Sequence, residues 1–277
     1  MIVQTSPSIQ PLTIEWKALP EDYILPDDPV ENILQPYLAA ALTDALDTAG
    51  LITPEKLIAS NFGLVAMVNQ KTIVKAPDWL YVPQVNPVTG VVRRSYTPNL
   101  EGSAVAVVME FLSETDTGEY SSRPTYPYGK LYYYEQILNI PTYVTFDSST
   151  SFLEVRQLSA DLPESRYIVQ TANAEGRYWI PELKLWLGSW HGERLGMVAH
   201  WLRWWDEAGN LLLWSSEIAE QERQRAEQER QRAEQERQRA EQESQRAEQE
   251  SQQAEQERQR AEQLAAKLRE LGIEPDL

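Results

Sequence analysis

Hydrophobic positions divide this chain of 277 residues into two parts. Up to residue 216, short apolar runs alternate with turns, whereas almost every residue after it is polar. From Ala226 the unit A-E-Q-E-R-Q-R recurs every seven residues, in whole or in part, and alanine is its apolar member. Because Ala, Glu, Gln and Arg all favour helix, the pattern predicts a folded body over residues 1–216 and a charged heptad-repeat helix over residues 217–277.

The role of this predicted helix has two interpretations. A stable two-stranded coiled coil needs two apolar positions in each heptad, and this repeat has one, filled by alanine. The seven-residue period would nevertheless keep the alanines in one stripe of a supercoil. Residues 217–277 therefore form either a single solvated helix that acts as a spacer, or a weak coiled coil that joins a second copy or a protein partner.

The body opens with the signals of a helix start. Asp28 can be its N-cap, Pro29 its first residue and Glu31 the acid of a capping box. Leucines and alanines then continue at helical spacing to a stop at Gly50. Because proline lacks an N–H group, Pro36 predicts a kink or a restart within this span.

Runs of β-branched and aromatic residues follow this first helix. They predict strands at 62–68, 72–82, 103–112 and 143–147, a turn at 69–71 and a helix at 128–138. The run at 103–112 is apolar on both faces, which is typical of a central strand. The fold class is therefore α/β, a mixed central sheet with flanking helices, followed by the long C-terminal helix.

Residues 152–214 alternate short β runs with turns and hold seven of the nine tryptophans. This pattern predicts antiparallel hairpins that pack on the core. The tryptophans at 186, 190, 201, 204 and 205 could stack on bases or sugars. Their position among leucines in short strands favours packing in the core instead.

Composition restricts the compartment and the chemistry. No run approaches the ~18 apolar residues of a membrane helix, and the first residues lack the layout of a secretory signal, so we expect a cytoplasmic protein without a membrane partner. The chain has no cysteine and two histidines, His191 and His200. Disulfides and thiolate zinc sites are therefore excluded, and two histidines are too few for a histidine-built centre. A metal site would use oxygen ligands, which suit Mg²⁺ or Mn²⁺.

The charge distribution is acidic in both parts. The net charge is −17, with 14 basic and 25 acidic residues up to residue 216 and 11 and 17 after it. Phosphate neutralisation by Lys and Arg supplies most of the affinity of non-specific DNA binding. Bulk charge therefore argues against tight non-specific binding of DNA, although it leaves room for a local basic strip.

Two acids stand at positions where a carboxylate is costly to bury. Asp78 interrupts an apolar run after Pro77, and Glu110 lies near the end of the most apolar run. Two carboxylates at neighbouring strand ends can hold a hard divalent ion that activates water, and Lys130 on the next helix is within reach of that water. Acids at strand ends also cap turns or pair with arginine, a capping box explains Glu31, and Asp147 fits the start of a turn.

A family resemblance is found at these same residues. In order, A-P-D at 76–78, V-V-M-E-F-L-S at 107–113, Y-G-K-L-Y-Y-Y at 128–134 and Y-V-T-F-D at 143–147 resemble the motifs of the Uma-two-type endonuclease family. That family belongs to the PD-(D/E)XK nuclease-like superfamily, and its members often carry a similar charged repeat helix. The resemblance implies a restriction-endonuclease-like fold and Mg²⁺- or Mn²⁺-dependent hydrolysis of phosphodiester bonds in DNA.

The resemblance also implies roles for individual residues. Asp78 and Glu110 become metal ligands, with Glu31 as a helper from the first helix. The superfamily's lysine normally lies two residues after the strand glutamate, where this chain has Leu112. Relatives that carry the lysine on the next helix make Lys130 the substitute. The alternative function is a nuclease-derived domain without activity, which binds or scaffolds partners through its C-terminal helix.

Overall fold

The computed structural model describes residues 13–17, 33–87, 92–112, 118–159 and 166–270, and the side chains of residues 268 and 270 are excepted. The chain divides into two compact units, residues 1–215 and residues 216–277. In chain order the first unit contains β1 (Ile14–Glu15), α1 (Leu34–Thr48), β2 (Leu57–Ala59), β3 (Gly63–Val68), β4 (Lys71–Lys75), β5 (Trp79–Val82), β6 (Ser95–Tyr96), β7 (Val107–Phe111), α2 (Lys130–Tyr132), β8 (Thr142–Asp147), β9 (Phe152–Ser159), β10 (Arg166–Val169), β11 (Tyr178–Ile180), β12 (Leu185–Arg194) and β13 (Met197–Trp205).

The described strands of the first unit form three sheets. The largest has the order β10-β9-β8-β7-β5-β2, in which β7 and β8 are parallel and the other neighbours are antiparallel. A second sheet joins β1, β3 and β4, with β6 parallel to β3, and a third has the order β11-β12-β13. The predicted mixed sheet is therefore present, together with two smaller sheets.

The six-stranded sheet has an apolar cluster on each face. On one face, Met109 of β7 and Val144 of β8 pack with α1 and with the third sheet. On the other face, Val108 and Tyr143 pack with the second sheet and with Tyr133, which lies in a π-helical turn (Tyr133–Ile137) that continues α2. The unit is thus layered, and the large sheet lies in the middle.

Pro36 lies near the start of the first helix. In the described chain α1 begins at Leu34, so Pro36 stands in its first turn, where the missing N–H would have no acceptor within the helix. The helix shows a start here rather than a kink. It ends at Thr48, two residues before Gly50, which has a φ of 69°. The N–H of Leu51 donates to the carbonyl of Leu46 at 2.9 Å. The proposed cap residues 28–31 lie outside the described residues.

The run predicted as one strand at 72–82 is two strands in different sheets. Its first half, β4, pairs with β3 across a turn at Asn69 and Gln70, both of which have positive φ. Its second half, β5, pairs with β2 and β7. The change of sheet occurs at Pro77 and Asp78, where proline removes a backbone donor. This break places Asp78 immediately before β5.

Three tryptophans in the last part of the first unit belong to the core. Trp201 and Trp204 of β13 and Trp214, which follows the sheet, are buried. The indole nitrogen of Trp204 donates to the carbonyl of Leu42 at 3.3 Å, and that of Trp214 donates to the carbonyl of Ala41 at 3.0 Å. These two hydrogen bonds attach β13 and the segment that contains Trp214 to α1. The burial of Trp201 and Trp204 favours packing in the core over base stacking at these positions.

The second unit is built from one long helix, α3 (Ser215–Glu270), of 56 residues. This confirms the predicted C-terminal helix, which at 1.5 Å per residue is ~84 Å long. Glutamine and glutamate side chains form hydrogen bonds between residues i and i+4, and these bonds recur once per heptad. Gln224 donates to Glu220 at 2.7 Å, and Gln231 donates to Glu227 at 3.2 Å. Neither α3 nor any other helix in the described chain is long and apolar enough to cross a membrane.

A peptide of residues 217–277 is expected to be strongly helical by circular dichroism, because its heptads combine good helix formers with bonds between residues i and i+4. A chain ending at residue 216 should unfold at the same temperature as the full chain. A random-coil spectrum of the peptide at low temperature, or a molten truncated body, would contradict this division. Sedimentation of the peptide then distinguishes a spacer from an oligomer.

Candidate functional site

The topology of the six-stranded sheet brings Asp78 and Glu110 to one edge. Glu110 is the fourth residue of β7, and β5 runs antiparallel to β7 with Trp79 opposite Met109. Asp78, which precedes β5, therefore lies beside Glu110. The N–H of Phe111 donates to Asp78 Oδ2 at 2.5 Å, and this bond holds the aspartate against β7.

Lys130 reaches the same edge because the chain crosses over between the parallel strands β7 and β8. Gly129 precedes α2, and the backbone of Ser121 packs directly against it. A Cβ atom at Gly129 would stand 2.0 Å from the carbonyl oxygen of Ser121, so only glycine allows this approach. The close contact fixes the start of α2 and thereby the position of Lys130.

These elements assemble a small polar group, the acid cluster, which comprises Asp78, Glu110, Glu119, Lys130 and Tyr134. Lys130 Nζ donates to Glu110 Oε2 at 3.2 Å and to Glu119 Oε1 at 3.1 Å. The hydroxyl of Tyr134 donates to Glu110 Oε1 at 2.7 Å. Glu110 is fully buried, whereas the side chain of Lys130 keeps 21% of its surface exposed. The cluster is thus closed on the side of the glutamate and reaches solvent at the lysine.

Burial raises the pKa of the Glu110 carboxyl from 4.5 to about 8. The ammonium of Lys130 and the hydroxyl of Tyr134 lower this pKa, while the negative charges of Asp78 and Glu119 raise it further. Since its pKa in the folded chain exceeds the unfolded value, Glu110 stabilises the fold fully below pH 4.5, and this contribution is lost as the pH rises through about 8.

Lys130 stays cationic in this environment. Burial by itself lowers the pKa of its ammonium, but the charges of Glu110 and Glu119 and the hydrogen bonds to both carboxylates raise the pKa above its ordinary value. Burial also raises the pKa of Tyr134 well above 10.0, so its hydroxyl remains a donor. The cluster therefore contains a fixed cation, a fixed donor and a carboxyl that exchanges its proton near neutral pH.

Residues of the neighbouring strands extend the polar face beyond the acid cluster. Thr145 of β8 lies opposite Glu110 in the parallel register. Its hydroxyl is 3.0 Å from that of Tyr120, and the guanidinium of Arg156 lies over the Tyr120 ring at 5.0 Å. A second cation thus stands on the same face of the sheet.

The structure brings Asp78, Glu110 and Lys130 together. Glu31 lies outside the described residues. Asp147 accepts hydrogen bonds from Ser149 and Thr150 at the end of β8, so it caps its own turn.

Sequence reasoning missed Glu119 and Tyr134. Glu119 follows a polar stretch with no apolar periodicity, and its burial depends on a 3₁₀ turn (Gly118–Tyr120) that folds over the sheet edge. Tyr134 stands among four consecutive residues of which three are tyrosines, and nothing local distinguishes it from Tyr132 and Tyr133. Both contacts join residues that are far apart in the chain, so neither has a local signal.

The donor chemistry of the cluster suits a hard divalent ion. Within the part of the chain that the structure describes, no group of three or more His, Cys, Asp and Glu side chains is arranged to hold a metal ion. Mg²⁺ commonly uses one or two carboxylates and completes its shell with water and substrate oxygens. Asp78 and Glu110 fit this smaller donor set, because an ionised carboxylate has about four acceptor sites and Glu110 uses two, for Lys130 and Tyr134.

Comparisons of the chain with protein-family models, with curated proteins and with solved structures found no match.

Proposed function

We propose that this protein is a Mg²⁺- or Mn²⁺-dependent endonuclease that hydrolyses phosphodiester bonds in DNA, with a restriction-endonuclease-like arrangement of its central sheet. The observation that carries the proposal is the position of Lys130. Its ammonium lies 3.2 Å from Glu110 at the sheet edge where Asp78 is held. Two carboxylates and a lysine at one strand end are the residue types that metal-assisted phosphodiester hydrolysis needs.

Asp78 and Glu110 would hold the metal ion in this proposal. When bound, the ion supplies Lewis acidity toward the phosphodiester and lowers the pKa of the attacking water. The raised pKa of Glu110 fits a ligand site, since a carboxyl that is costly to ionise alone is stabilised in its charged form by a nearby cation. Tyr134 fixes the orientation of the Glu110 carboxylate through Oε1.

Lys130 would orient the water or stabilise the developing negative charge. Its contacts with Glu110 and Glu119 position the ammonium, and its exposed fraction leaves it accessible to a substrate. The motif resemblance supports this role, because Leu112 occupies the usual lysine position and the helix-borne lysine would replace it. A DNA substrate and the absence of cysteine both fit a cytoplasmic protein.

The test is a plasmid-nicking assay with the full chain. The parent is expected to cleave in Mg²⁺ or Mn²⁺ and not in excess chelator. Asp78→Asn and Glu110→Gln should each reduce the cleavage rate roughly a hundredfold or more, because each removes a metal ligand at near-constant shape. Lys130→Arg keeps the charge and should lose less activity than either amide variant.

Glu207→Gln is the matched control, since Glu207 is an exposed acid outside the cluster, and it should cleave like the parent. Parent-level, metal-dependent cleavage by both amide variants would show that other residues hold the metal. Failure of the parent to cleave any DNA under these conditions would overturn the proposed activity.

A second function, that of a binding or scaffolding module without activity, is favoured by a different observation. Lys130 is already shared between two carboxylates, so the cluster can also serve as a structural ion network. The internal Gln-to-Glu bonds of α3 equally suit a self-supporting spacer that holds partners apart. Binding of Mn²⁺ without cleavage of DNA or RNA would favour this function over the enzyme.

A further inference from the structure

The two histidines of the chain face each other across the hairpin of β12 and β13. His191 is paired with His200 in the antiparallel register. Their ring centres are 4.7 Å apart, and the ring planes are tilted by 56°. We infer that this pair, the histidine clasp, binds one transition-metal ion of the class that prefers imidazole, such as Zn²⁺, Cu²⁺ or Ni²⁺.

The separation of the rings fits two ligands on one ion. Imidazole nitrogens bind zinc at ~2.0–2.1 Å, which places the centres of two rings in adjacent coordination positions ~5 Å apart. The ring centres of the clasp lie 4.7 Å apart. Because the planes are tilted, the rings do not stack face to face. This separation allows both rings to approach one ion.

The backbone around the clasp is already fixed. Trp201, next to His200, is buried, and its indole nitrogen donates to the carbonyl of Gly192, next to His191, at 3.0 Å. The strands are joined by a tight turn in which Leu195 and Gly196 have φ of 54° and 75°, a turn type that suits two-residue hairpins. A preorganised pair loses little conformational freedom on binding.

The chemistry of the clasp differs from that of the acid cluster. Imidazole suits Zn²⁺, Cu²⁺ and Ni²⁺, whereas carboxylates suit Mg²⁺ and Mn²⁺. His191 is exposed and His200 is partly exposed, so an ion can reach both rings from solvent. Two histidines are too few to complete a metal centre by themselves, so the remaining coordination positions would be filled by water or by a donor group of another molecule. The clasp is thus an open surface site, and an ion bound there would link β12 to β13 through His191 and His200.

Zinc titration of the full chain tests this inference. The chain contains two histidines, so its imidazole protons give two sets of NMR signals, and Zn²⁺ should shift both together. Mg²⁺ at the same concentration should leave them in place. Calorimetry in an Asp78→Asn/Glu110→Gln background, where the acid cluster is disabled, should give one zinc ion per chain.

His191→Gln and His200→Gln should each weaken zinc binding at least tenfold, since even an outer-sphere partner of a metal site is typically worth ~10–100-fold in affinity. Leu195→Gln, an exposed change at the hairpin tip, is the matched control and should bind like the parent. Circular dichroism checks that each variant is folded. Imidazole signals that do not move with Zn²⁺, or undiminished zinc binding by a chain without both histidines, would overturn the inference. These outcomes do not depend on nuclease activity.

Discussion

Replacement of Lys130 by methionine is expected to lower the free energy of unfolding by about 1–3 kcal/mol at pH 8, because two buried carboxyls lose their hydrogen-bond donor. The loss should be larger at higher pH, where Glu110 of the parent is ionised. Glu110 is fully buried and Glu119 is nearly so. In the parent, the ammonium of Lys130 contacts both carboxylates. Methionine keeps an unbranched side chain, one heavy atom shorter than that of lysine, and removes the ammonium with its charge and its hydrogen-bond donors. Urea denaturation of the parent and the variant measures the difference.

The loss caused by Lys130→Met should depend on pH. Without the ammonium, the pKa of Glu110 rises further above its parent value of about 8, so the carboxyl stays protonated at pH 5 in both proteins. The difference in unfolding free energy should therefore be smaller at pH 5 than at pH 8, and it should widen further above pH 8. Lys130 itself gives no opposing trend in this range, since the acids raise its pKa above the ordinary value.

Two variants separate charge from packing. Lys130→Arg keeps a cation and should lose less stability than Lys130→Met. The double variant Lys130→Met/Glu110→Gln should recover part of the loss at pH 8, because glutamine carries no charge and its carbonyl can still accept from Tyr134. Equal urea midpoints for the parent and Lys130→Met at pH 8 would show that Lys130 does not compensate the buried acids.

The features that could be predicted from the sequence are those with a local physical cause. The C-terminal helix follows from the propensities of Ala, Glu, Gln and Arg, and it spans Ser215–Glu270. The strand around Glu110 follows from a run that is apolar on both faces. It became β7, with a neighbour on each side in the six-stranded sheet.

Pairing between strands was harder to predict because it has no local signal. The residues of β4 and β5 form one apolar stretch, and their separation into two sheets depends on partners elsewhere in the chain. Pro77 lacks a backbone donor, but a proline does not show which sheet each half will join. The sequence predicts hairpins over residues 152–214, but not their attachment to α1 through Trp204 and Trp214.

The candidate site was predictable in part for the same reason. Asp78 and Glu110 stood out because acids are costly in apolar runs. The sequence predicts that Lys130 is within reach of the metal-bound water. The crossover between β7 and β8 brings Lys130 Nζ to 3.2 Å from Glu110 Oε2. Glu119 and Tyr134 carry no such sign, since exposed acids and core tyrosines are common. Their roles appear only when the sheet edge is assembled.

Gly129 positions Lys130 through a close backbone contact with Ser121. Gly129→Ala should lower the free energy of unfolding by about 3 kcal/mol or more, in the upper range of overpacking changes. The new Cβ would lie 2.0 Å from the carbonyl oxygen of Ser121 and 2.5 Å from its carbon. These are backbone atoms and cannot rotate away. The dihedral angles of Gly129, φ −67° and ψ 152°, suit alanine, so the loss would come from contact and not from backbone strain.

Gly176→Ala is the contrasting control. Gly176 has a φ of 74° and no atom within 4 Å of a Cβ, so its variant should lose only the ~1–2 kcal/mol of a left-handed residue. In Gly129→Ala, movement of α2 should also withdraw Lys130 from Glu110 and Glu119, so its stability should fall with rising pH in the manner of Lys130→Met. Gly129→Ala with parent stability, and with the Lys130 contacts intact in a crystal structure, would show that the approach of Ser121 does not position the lysine.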